Sequence, residues 1–361
     1  MMRNRREFLK GAVCAGGAAA MLGQTGCTTF SGLTAQRRKS MVGFRAEPLE
    51  KVRVGVIGVG HRGPGAVGRL SRIPGVEVRA ISDPFEDRVA KQIKSLTDKG
   101  LPAPEAYFGS QDRWRDLCES NEIDLVYICT PWLWHTPMAV YAMQCGKHAA
   151  VEVPAAMTLE QCWLLVNTSE ETRRHCMMLE NCCYDFFELL TLNMARQGML
   201  GELVHAEGAY IHDLSKDWNF NKKAYADMWR LKENIGHNGN LYPTHGLGPI
   251  AQCMNINRGD RFDHLVSMST NDFTMNNMVK DLAAKDSFFT EYVDKPFRGN
   301  MNTTLIRSNK GKTVMVQHDV STIRPYSRIH LAVSYTHLRA HETPEHLVCS
   351  LLLETKKEWR E

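Results

Sequence analysis

The 361-residue sequence lacks the marks of several large protein classes. Its formal net charge is only +4, and no Lys/Arg block is interleaved with aromatic residues, which argues against nucleic acid as a partner. No C-x-x-C pair occurs among its 11 cysteines, and we predict no metal centre. No internal repeat or low-complexity tract is visible. The chain is long enough for two globular domains, each with its own core.

The N-terminus carries a twin-arginine pattern. Arg5 and Arg6 precede a Gly/Ala-rich apolar run that is too short to span a bilayer as a stable helix. We therefore predict a signal peptide over residues 1–30, a linker over 31–50, and export of the folded protein to the periplasm or the membrane surface. Cys27 is a candidate lipid anchor, although Gln24 replaces the apolar residue usual three positions earlier. A frayed basic tail is the alternative.

Strands alternate with helical segments as far as Tyr184. Buried strands are predicted in K-V-R-V-G-V-I, V-E-V-R-A-I-S, I-D-L-V-Y-I-C, H-A-A-V-E-V and H-C-M-M-L-E, with apolar helical patterns between several of them. This order predicts an α/β doubly wound parallel sheet of Rossmann type over 51–184. Beyond it, a predicted helix in F-F-E-L-L-T-L-N-M-A-R-Q-G-M-L leads into successive strands without helices between them. This order predicts an α+β domain with a mainly antiparallel sheet over 185–332.

The segment 333–361 does not continue this pattern of successive strands. It resembles the translation of sequencing-adaptor DNA, so we expect it to be non-native and the α+β domain to be truncated at its C-terminus. An amphipathic helix is the alternative.

A glycine motif follows the first predicted strand. Gly58-x-Gly60-x-x-Gly63 stands between a strand and a helical segment, and Asp83 ends the second strand. The motif alone is weak, but this context is the one that dinucleotide binding requires. The glycines let the backbone approach a pyrophosphate, and Asp83 would accept hydrogen bonds from ribose hydroxyls and repel a 2′-phosphate. The predicted cofactor is NAD.

Further motifs carry a family resemblance. T-P-W-L-W-H, ending in Trp134-His135, and G-K-H-A-A-V-E-V-P resemble the Gfo/Idh/MocA oxidoreductases, in which Val153 would be a lysine that helps proton transfer. E-V-P-A-A, L-E-N-C-C-Y and N-L-Y-P-T-H-G-L-G-P, together with the twin-arginine pattern, resemble glycoside hydrolase family 109 more closely. That family comprises NAD-dependent α-N-acetylgalactosaminidases, and the resemblance extends from Arg5 to about Leu331.

The resemblance implies a hydrolysis that uses NAD without consuming it. Hydride leaves carbon 3 of the sugar, the carbon 2 proton is removed, the aglycone is eliminated, water adds, and the hydride returns with net retention. The implied catalytic residues are His245, for the carbon 3 hydroxyl, and Tyr184, for the carbon 2 proton. A phenol needs a cationic or hydrogen-bonded neighbour to serve as a base.

Motif matches supply the remaining site residues. With the glycine motif they predict a cofactor site of Gly58, Gly60, His61, Arg62, Gly63, Asp83, Trp132, Trp134, His135, Glu152, Val153 and Asn181. They predict that the sugar contacts Tyr210, Arg230, Tyr242, Pro243, Thr244, His245 and Tyr326.

Two other functions are compatible with the sequence. One is a sugar oxidoreductase of the wider Gfo/Idh/MocA type, against which Val153 and the export pattern argue. The other is a non-catalytic, NAD-containing lipoprotein that binds glycans. In every case the expected partner is a small-molecule glycan, and the sequence leaves a homo-oligomer open.

Overall fold

The computed structural model describes residues 40–334. The predicted signal peptide, Cys27, the start of the linker and the tail beyond Ser334 lie outside the described residues. Among residues 40–334, no helix has both the length and the apolar character that a membrane span requires.

The first domain contains a six-stranded parallel sheet. Its strands are β1 (Val52–Ile57), β2 (Val76–Ser82), β3 (Glu105–Tyr107), β4 (Leu125–Ile128), β5 (His148–Val151) and β6 (Cys176–Met178). The order β3-β2-β1-β4-β5-β6 is that of a Rossmann fold. The prediction of a doubly wound parallel sheet is confirmed. β3 was not predicted, because a three-residue edge strand leaves no apolar run to recognise.

Helices cover both faces of this sheet. They are α1 (Gly63–Leu70), α2 (Glu86–Thr97), α3 (Trp114–Glu119), α4 (Trp132–Gln144) and α5 (Leu159–Thr172). Because both faces are covered, the central strands are apolar on both sides: Val56 and Ile57 of β1 point to opposite faces, and both are buried. One core packs α1 and α2 against β1 and β2, and a second packs α3, α4 and α5 against β4 and β5.

The second domain contains a five-stranded mixed sheet. Its strands are β7 (Leu203–Ile211), β8 (Phe262–Ser269), β9 (Met301–Ser308), β10 (Thr313–Asp319) and β11 (Leu331–Ser334). The order is β11-β7-β10-β9-β8, in which only the β7–β10 pairing is parallel. The mainly antiparallel sheet is therefore confirmed. β11 extends to Ser334, two residues beyond the predicted end of the domain.

The helices of this domain were only partly predicted. They are α6 (Phe186–Arg196), α7 (Trp229–Glu233), α8 (Thr244–Cys253) and α9 (Met275–Ala283). The prediction of strands without helices between them was wrong after β7, since α7 and α8 connect β7 to β8 and α9 connects β8 to β9. α6 and α8 pack on one face of the sheet around Ala206, Ile250 and Val316.

Two glycines bring α8 unusually close to β7. A Cβ atom on Gly246 would lie 2.7 Å from the carbonyl carbon of Gly208, and a Cβ on Gly208 would meet the backbone of Gly246. No side chain fits between the two backbones at this point. The contact fixes the position of the residue before Gly246, which is His245.

We expect Gly246→Ala to destabilise the fold by about 1–3 kcal/mol, because the added methyl group overpacks a backbone-to-backbone contact. Denaturant unfolding would measure the change. Gly68→Ala is the matched control, because a Cβ there would meet only the Arg72 side chain, 3.9 Å away, and alanine is the better helix former. Equal stability of the two variants would contradict the close-packing account.

Candidate active site

The loop after β1 forms a cradle for a dinucleotide. Gly58 has φ of 86°, and a Cβ there would lie 2.9 Å from the carbonyl group of Cys129. A Cβ on Gly63 would lie 2.9 Å from the carbonyl carbon of Gly58, where α1 begins. Only glycine therefore fits at these two positions of the turn. The N-terminus of α1 follows the turn directly, beside the cavity. This is the geometry in which a pyrophosphate is bound by helix N–H groups.

Asp83 lies at the end of β2, beside this loop. Its carboxylate accepts hydrogen bonds from the backbone N–H of Val59 at 2.9 Å and of Phe85 at 3.1 Å. The Arg88 guanidinium lies 3.6 Å from the same carboxylate. Asp83 is thus buried and fixed at the position where an adenosine ribose is bound in Rossmann folds. With the glycine cradle, it makes this site fit NAD.

The loops after β4 and β5 are tied together by His135. Its Nδ1 lies 2.6 Å from the carbonyl oxygen of Pro154 and its Nε2 lies 2.7 Å from that of Thr130. Burial lowers the pKa of His135 more than these two contacts raise it. The ring is 1% exposed, so its main role here is to brace the two loops against each other.

The loop after β5 presents an apolar floor. Val153 is buried and packs with Trp132, Tyr210 and Tyr242 in a cluster that spans the two domains. The Tyr242 hydroxyl donates to the carbonyl oxygen of Val153 at 3.3 Å. The adjacent Glu152 carboxylate is held by the Tyr127 hydroxyl at 3.0 Å. Val153 therefore places a buried apolar side chain at the position where a lysine would place an amine.

His245, on the first turn of α8, is paired with a buried carboxylate. Its Nδ1 lies 2.7 Å from Oε1 of Glu180, which follows β6, and both side chains are about 6% exposed. The same Oε1 accepts the backbone N–H of Cys182 at 3.0 Å. Burial by itself would raise the pKa of Glu180, but the hydrogen bonds from His245 and Cys182 outweigh it and keep the pKa below its ordinary value. The carboxylate is therefore ionised at neutral pH.

An aromatic wall with one central cation completes the site. The Arg230 guanidinium lies 5.2 Å from the Trp132 ring centroid and 5.3 Å from that of Tyr242, and it donates to the Tyr225 hydroxyl at 3.1 Å. Burial raises the pKa of the Tyr210 phenol, and the charge of Arg230 opposes that rise. Stacked aromatic faces and a guanidinium suit a ligand with both apolar faces and hydroxyl groups.

The two domains meet across the phosphate loop. The His61 ring lies 4.8 Å from that of Trp218 and 5.5 Å from that of Tyr225. Burial and the charges of Arg62 and Arg230 lower the pKa of His61, so the imidazole is neutral at neutral pH. A neutral ring can donate one hydrogen bond and accept another at this position.

Most of the predicted residues line one cavity of about 1040 Å³. The predicted residues that line it are Gly58, Gly60, His61, Arg62, Asp83, Trp132, Trp134, His135, Glu152, Val153, Asn181, Tyr210, Arg230, Tyr242, His245 and Tyr326. The cavity runs from the dinucleotide loop to the aromatic wall, so a cofactor and a sugar could be bound side by side.

Four predicted residues are placed elsewhere. Tyr184 ends a 3₁₀ turn, is 58% exposed, and is not among the residues that line the cavity. Pro243 and Thr244 begin α8 behind His245, and Gly63 begins α1 beneath the loop. Gly63, Pro243 and Thr244 therefore lie at the starts of two helices that border the site, whereas Tyr184 lies at the surface.

Several residues of the site were not predicted from the sequence. They are Tyr127, Glu180, His212, Trp218, Tyr225 and Trp229. Glu180 could have been predicted, because it is the acidic residue of L-E-N-C-C-Y at the carboxyl end of a buried strand. The aromatic residues of 212–229 belong to an irregular segment with a π-helical turn, Ser215–Asn219, whose sequence carries no periodic signal.

Comparison with known proteins first defines the class. Residues 52–180 match the oxidoreductase family with an NAD-binding Rossmann fold, so the first domain is an NAD-binding domain. A scyllo-inositol dehydrogenase from Lactobacillus casei, solved with NAD(H) and scyllo-inositol, has a similar fold at a TM-score of 0.58. It is 15% identical, and the match covers 79% of this chain and 77% of that one. The architecture is that of the Gfo/Idh/MocA dehydrogenases.

The particular family follows from closer relatives. Residues 184–345 match the C-terminal domain of glycosyl hydrolase 109. A glycosyl hydrolase family 109 protein of Bacteroides fragilis strain YCH46 is 50% identical over 297 residues, covering 82% of this chain and 62% of that protein. The α-N-acetylgalactosaminidase of B. fragilis strain ATCC 25285 is 51% identical over 292 residues, covering 80% and 68%. The chain belongs to glycosyl hydrolase family 109, and it spans less than two thirds of the first of these relatives.

We expect the cofactor-free protein to bind NAD⁺ at least about 10-fold more tightly than NADP⁺, because the Asp83 carboxylate repels a 2′-phosphate. Asp83→Asn should weaken NAD⁺ binding by about 10-fold or more, the usual contribution of a charged hydrogen bond. It should also reduce the preference for NAD⁺ over NADP⁺. Titration calorimetry measures both. Asp87→Asn, an exposed residue of α2, is the matched control. An unchanged preference in Asp83→Asn would contradict this role.

Proposed function

We propose that this protein is an NAD-dependent glycosidase that removes terminal α-N-acetylgalactosamine from glycans with retention of configuration. The observation that carries the proposal is the presence of the dinucleotide loop and the carboxylate-paired His245 in one cavity. The name of the relative that is 51% identical supports the choice of sugar.

The residues of the cavity can perform the proton transfers of this reaction. Bound NAD supplies a hydride acceptor, and later a hydride donor, for carbon 3 of the sugar. His245 Nε2 takes the proton of the carbon 3 hydroxyl as that carbon loses its hydride and becomes a carbonyl. The carbonyl acidifies the carbon 2 proton, which passes to a basic side chain while the glycosidic oxygen leaves with the bonding electrons. Water then adds its hydroxide to carbon 1, and the proton it gives up neutralises the aglycone oxygen that has left. The side chain returns its proton to carbon 2, and the hydride and the His245 proton return to carbon 3 and its oxygen.

Two tyrosines are candidates for the carbon 2 proton, for different reasons. The family resemblance points to Tyr184, which is exposed. The cavity points to Tyr210, whose ring centroid lies 5.2 Å from that of His245. Burial raises the pKa of Tyr210 overall, and the nearby charge of Arg230 only reduces that rise, so the case for Tyr210 is its place in the cavity beside His245. We therefore assign the larger part of this role to Tyr210.

The floor of the cavity separates this proposal from a plain dehydrogenase. Val153 is buried against Trp132 and Tyr242 and carries no group that can hold a proton. The lysine that assists dehydrogenation in the wider superfamily has no counterpart at this position. The proposed reaction assigns proton transfer to His245 and to a phenol of the cavity instead.

Export is part of the proposal on sequence grounds alone. Arg5, Arg6 and Cys27 support a twin-arginine route and a lipid anchor. A protein that binds NAD in the cytoplasm, crosses the membrane folded and never consumes its cofactor can work where NAD is scarce. Cell fractionation tests this, and a cytoplasmic location would contradict it.

We expect the purified protein with its bound NAD to release the chromophore from a chromogenic α-N-acetylgalactosaminide without added NAD. His245→Ala should lower kcat by about 10²- to 10⁴-fold, the usual size of an acid–base contribution. Tyr210→Phe should lower kcat by about 10²-fold, and the matched variant Tyr184→Phe by less than about 10-fold. Aglycone and NADH absorbance would be followed together.

The same assay separates the alternatives. Accumulation of NADH with a free sugar, and no aglycone release, would identify an oxidoreductase. Sugar binding with neither signal would identify a non-catalytic glycan-binding protein. If Tyr184→Phe lowers kcat more than Tyr210→Phe does, Tyr184 is the residue that removes the carbon 2 proton.

A further inference from the structure

The buried contact between Glu180 and His245 determines more than the position of the ring. Both side chains are about 6% exposed, and the Oε1–Nδ1 distance is 2.7 Å. The two residues come from different domains, Glu180 from the end of β6 and His245 from the start of α8. Buried polar groups need hydrogen-bond partners, and each of these two side chains has its partner in the other domain.

The hydrogen-bond pattern at Glu180 identifies the tautomer of His245. A carboxylate that is ionised can only accept, so Nδ1 must carry the proton in this contact. Nε2 is then the unprotonated nitrogen of the neutral ring. None of the hydrogen bonds among residues 40–334 uses Nε2, and His245 lines the cavity. The ring therefore presents a lone pair, and not an N–H, to a sugar hydroxyl.

We propose that Glu180 is a positioning residue that makes His245 a proton acceptor. It fixes the Nδ1–H tautomer, and it stabilises the imidazolium that forms when Nε2 accepts the proton of the sugar hydroxyl. This inference rests on the proposed function. It adds that the forward step begins with His245 as a base, and that Glu180 itself neither gains a proton nor touches the sugar.

A metal ion is the competing explanation of the same cluster. Ligand atoms of Glu180, Cys182 and His245 all lie within 4.8 Å of one another and are buried. However, Nδ1 is already at hydrogen-bond distance from the carboxylate, and the same Oε1 also accepts the backbone N–H of Cys182. This geometry favours the hydrogen-bonded pair, and elemental analysis decides between the two explanations.

Two substitutions at Glu180 separate charge from hydrogen bonding. Because His245 Nδ1 and the Cys182 amide both point at Oε1, Glu180→Gln can keep the accepting oxygen and remove only the charge. Glu180→Ala removes both. We expect kcat to fall about 10-fold in Glu180→Gln and about 10²- to 10³-fold in Glu180→Ala, with KM and NAD binding nearly unchanged.

Nitrogen-15 NMR of the His245 ring supplies a readout that does not need activity. At neutral pH the wild type and Glu180→Gln should show a protonated Nδ1 and a bare Nε2, whereas Glu180→Ala should show a mixture of tautomers. Glu188→Gln is the matched control. Glu188 is also a buried glutamate, paired with Arg328 at 3.1 Å, but it does not line the cavity, so kcat and the ring spectrum should not change.

Three results would overturn the inference. The first is a Glu180→Ala variant whose kcat equals that of the wild type. The second is a wild-type His245 ring that carries its proton on Nε2. The third is a stoichiometric metal ion, found by elemental analysis, whose chelation abolishes activity. If the wild type releases no aglycone, the proposed function fails, and the ring spectra still decide the tautomer.

Discussion

The buried hydrogen bond between Glu180 and His245 joins the two halves of the site. Glu180 belongs to the Rossmann domain and His245 to the second domain, and they meet at 2.7 Å where α8 lies close to β7. The paired glycines Gly208 and Gly246 allow that approach, since either side chain would hold the two backbones apart. His245, the proposed proton-transfer residue, therefore lies beside a close backbone contact at the start of α8.

The inert Val153 belongs to the same arrangement. A buried valine under the predicted nicotinamide position provides packing and a dry floor, while Tyr242 reaches back to its carbonyl oxygen. In the proposed reaction, protons are transferred by groups on the opposite wall. That wall belongs to the second domain, and its cation, Arg230, lies among aromatic rings and not beside a carboxylate. An NAD-binding scaffold can in this way support hydrolysis.

The sequence allowed the prediction of most of the fold and part of the site. The glycine motif, Asp83 and the strand ends at Glu152 and Asn181 have local signatures, because turns and buried strands are encoded by adjacent residues. The edge strand β3, the helices after β7 and the aromatic wall have none, because they depend on tertiary packing. Glu180 was missed because its significance lies in a partner 65 positions away. The exposure of Tyr184 could not be foreseen from a motif, which carries no information on burial.

The central claim is that hydrolysis proceeds through loss of the carbon 2 proton beside a bound, unconsumed NAD. Hydrolysis in D₂O, followed by NMR of the released N-acetylgalactosamine, tests it most directly. The account predicts deuterium at carbon 2, because the proton removed there exchanges with solvent through a side chain before it is returned. Complete retention of the original hydrogen at carbon 2, with normal release of the aglycone, would contradict the account and indicate a direct displacement.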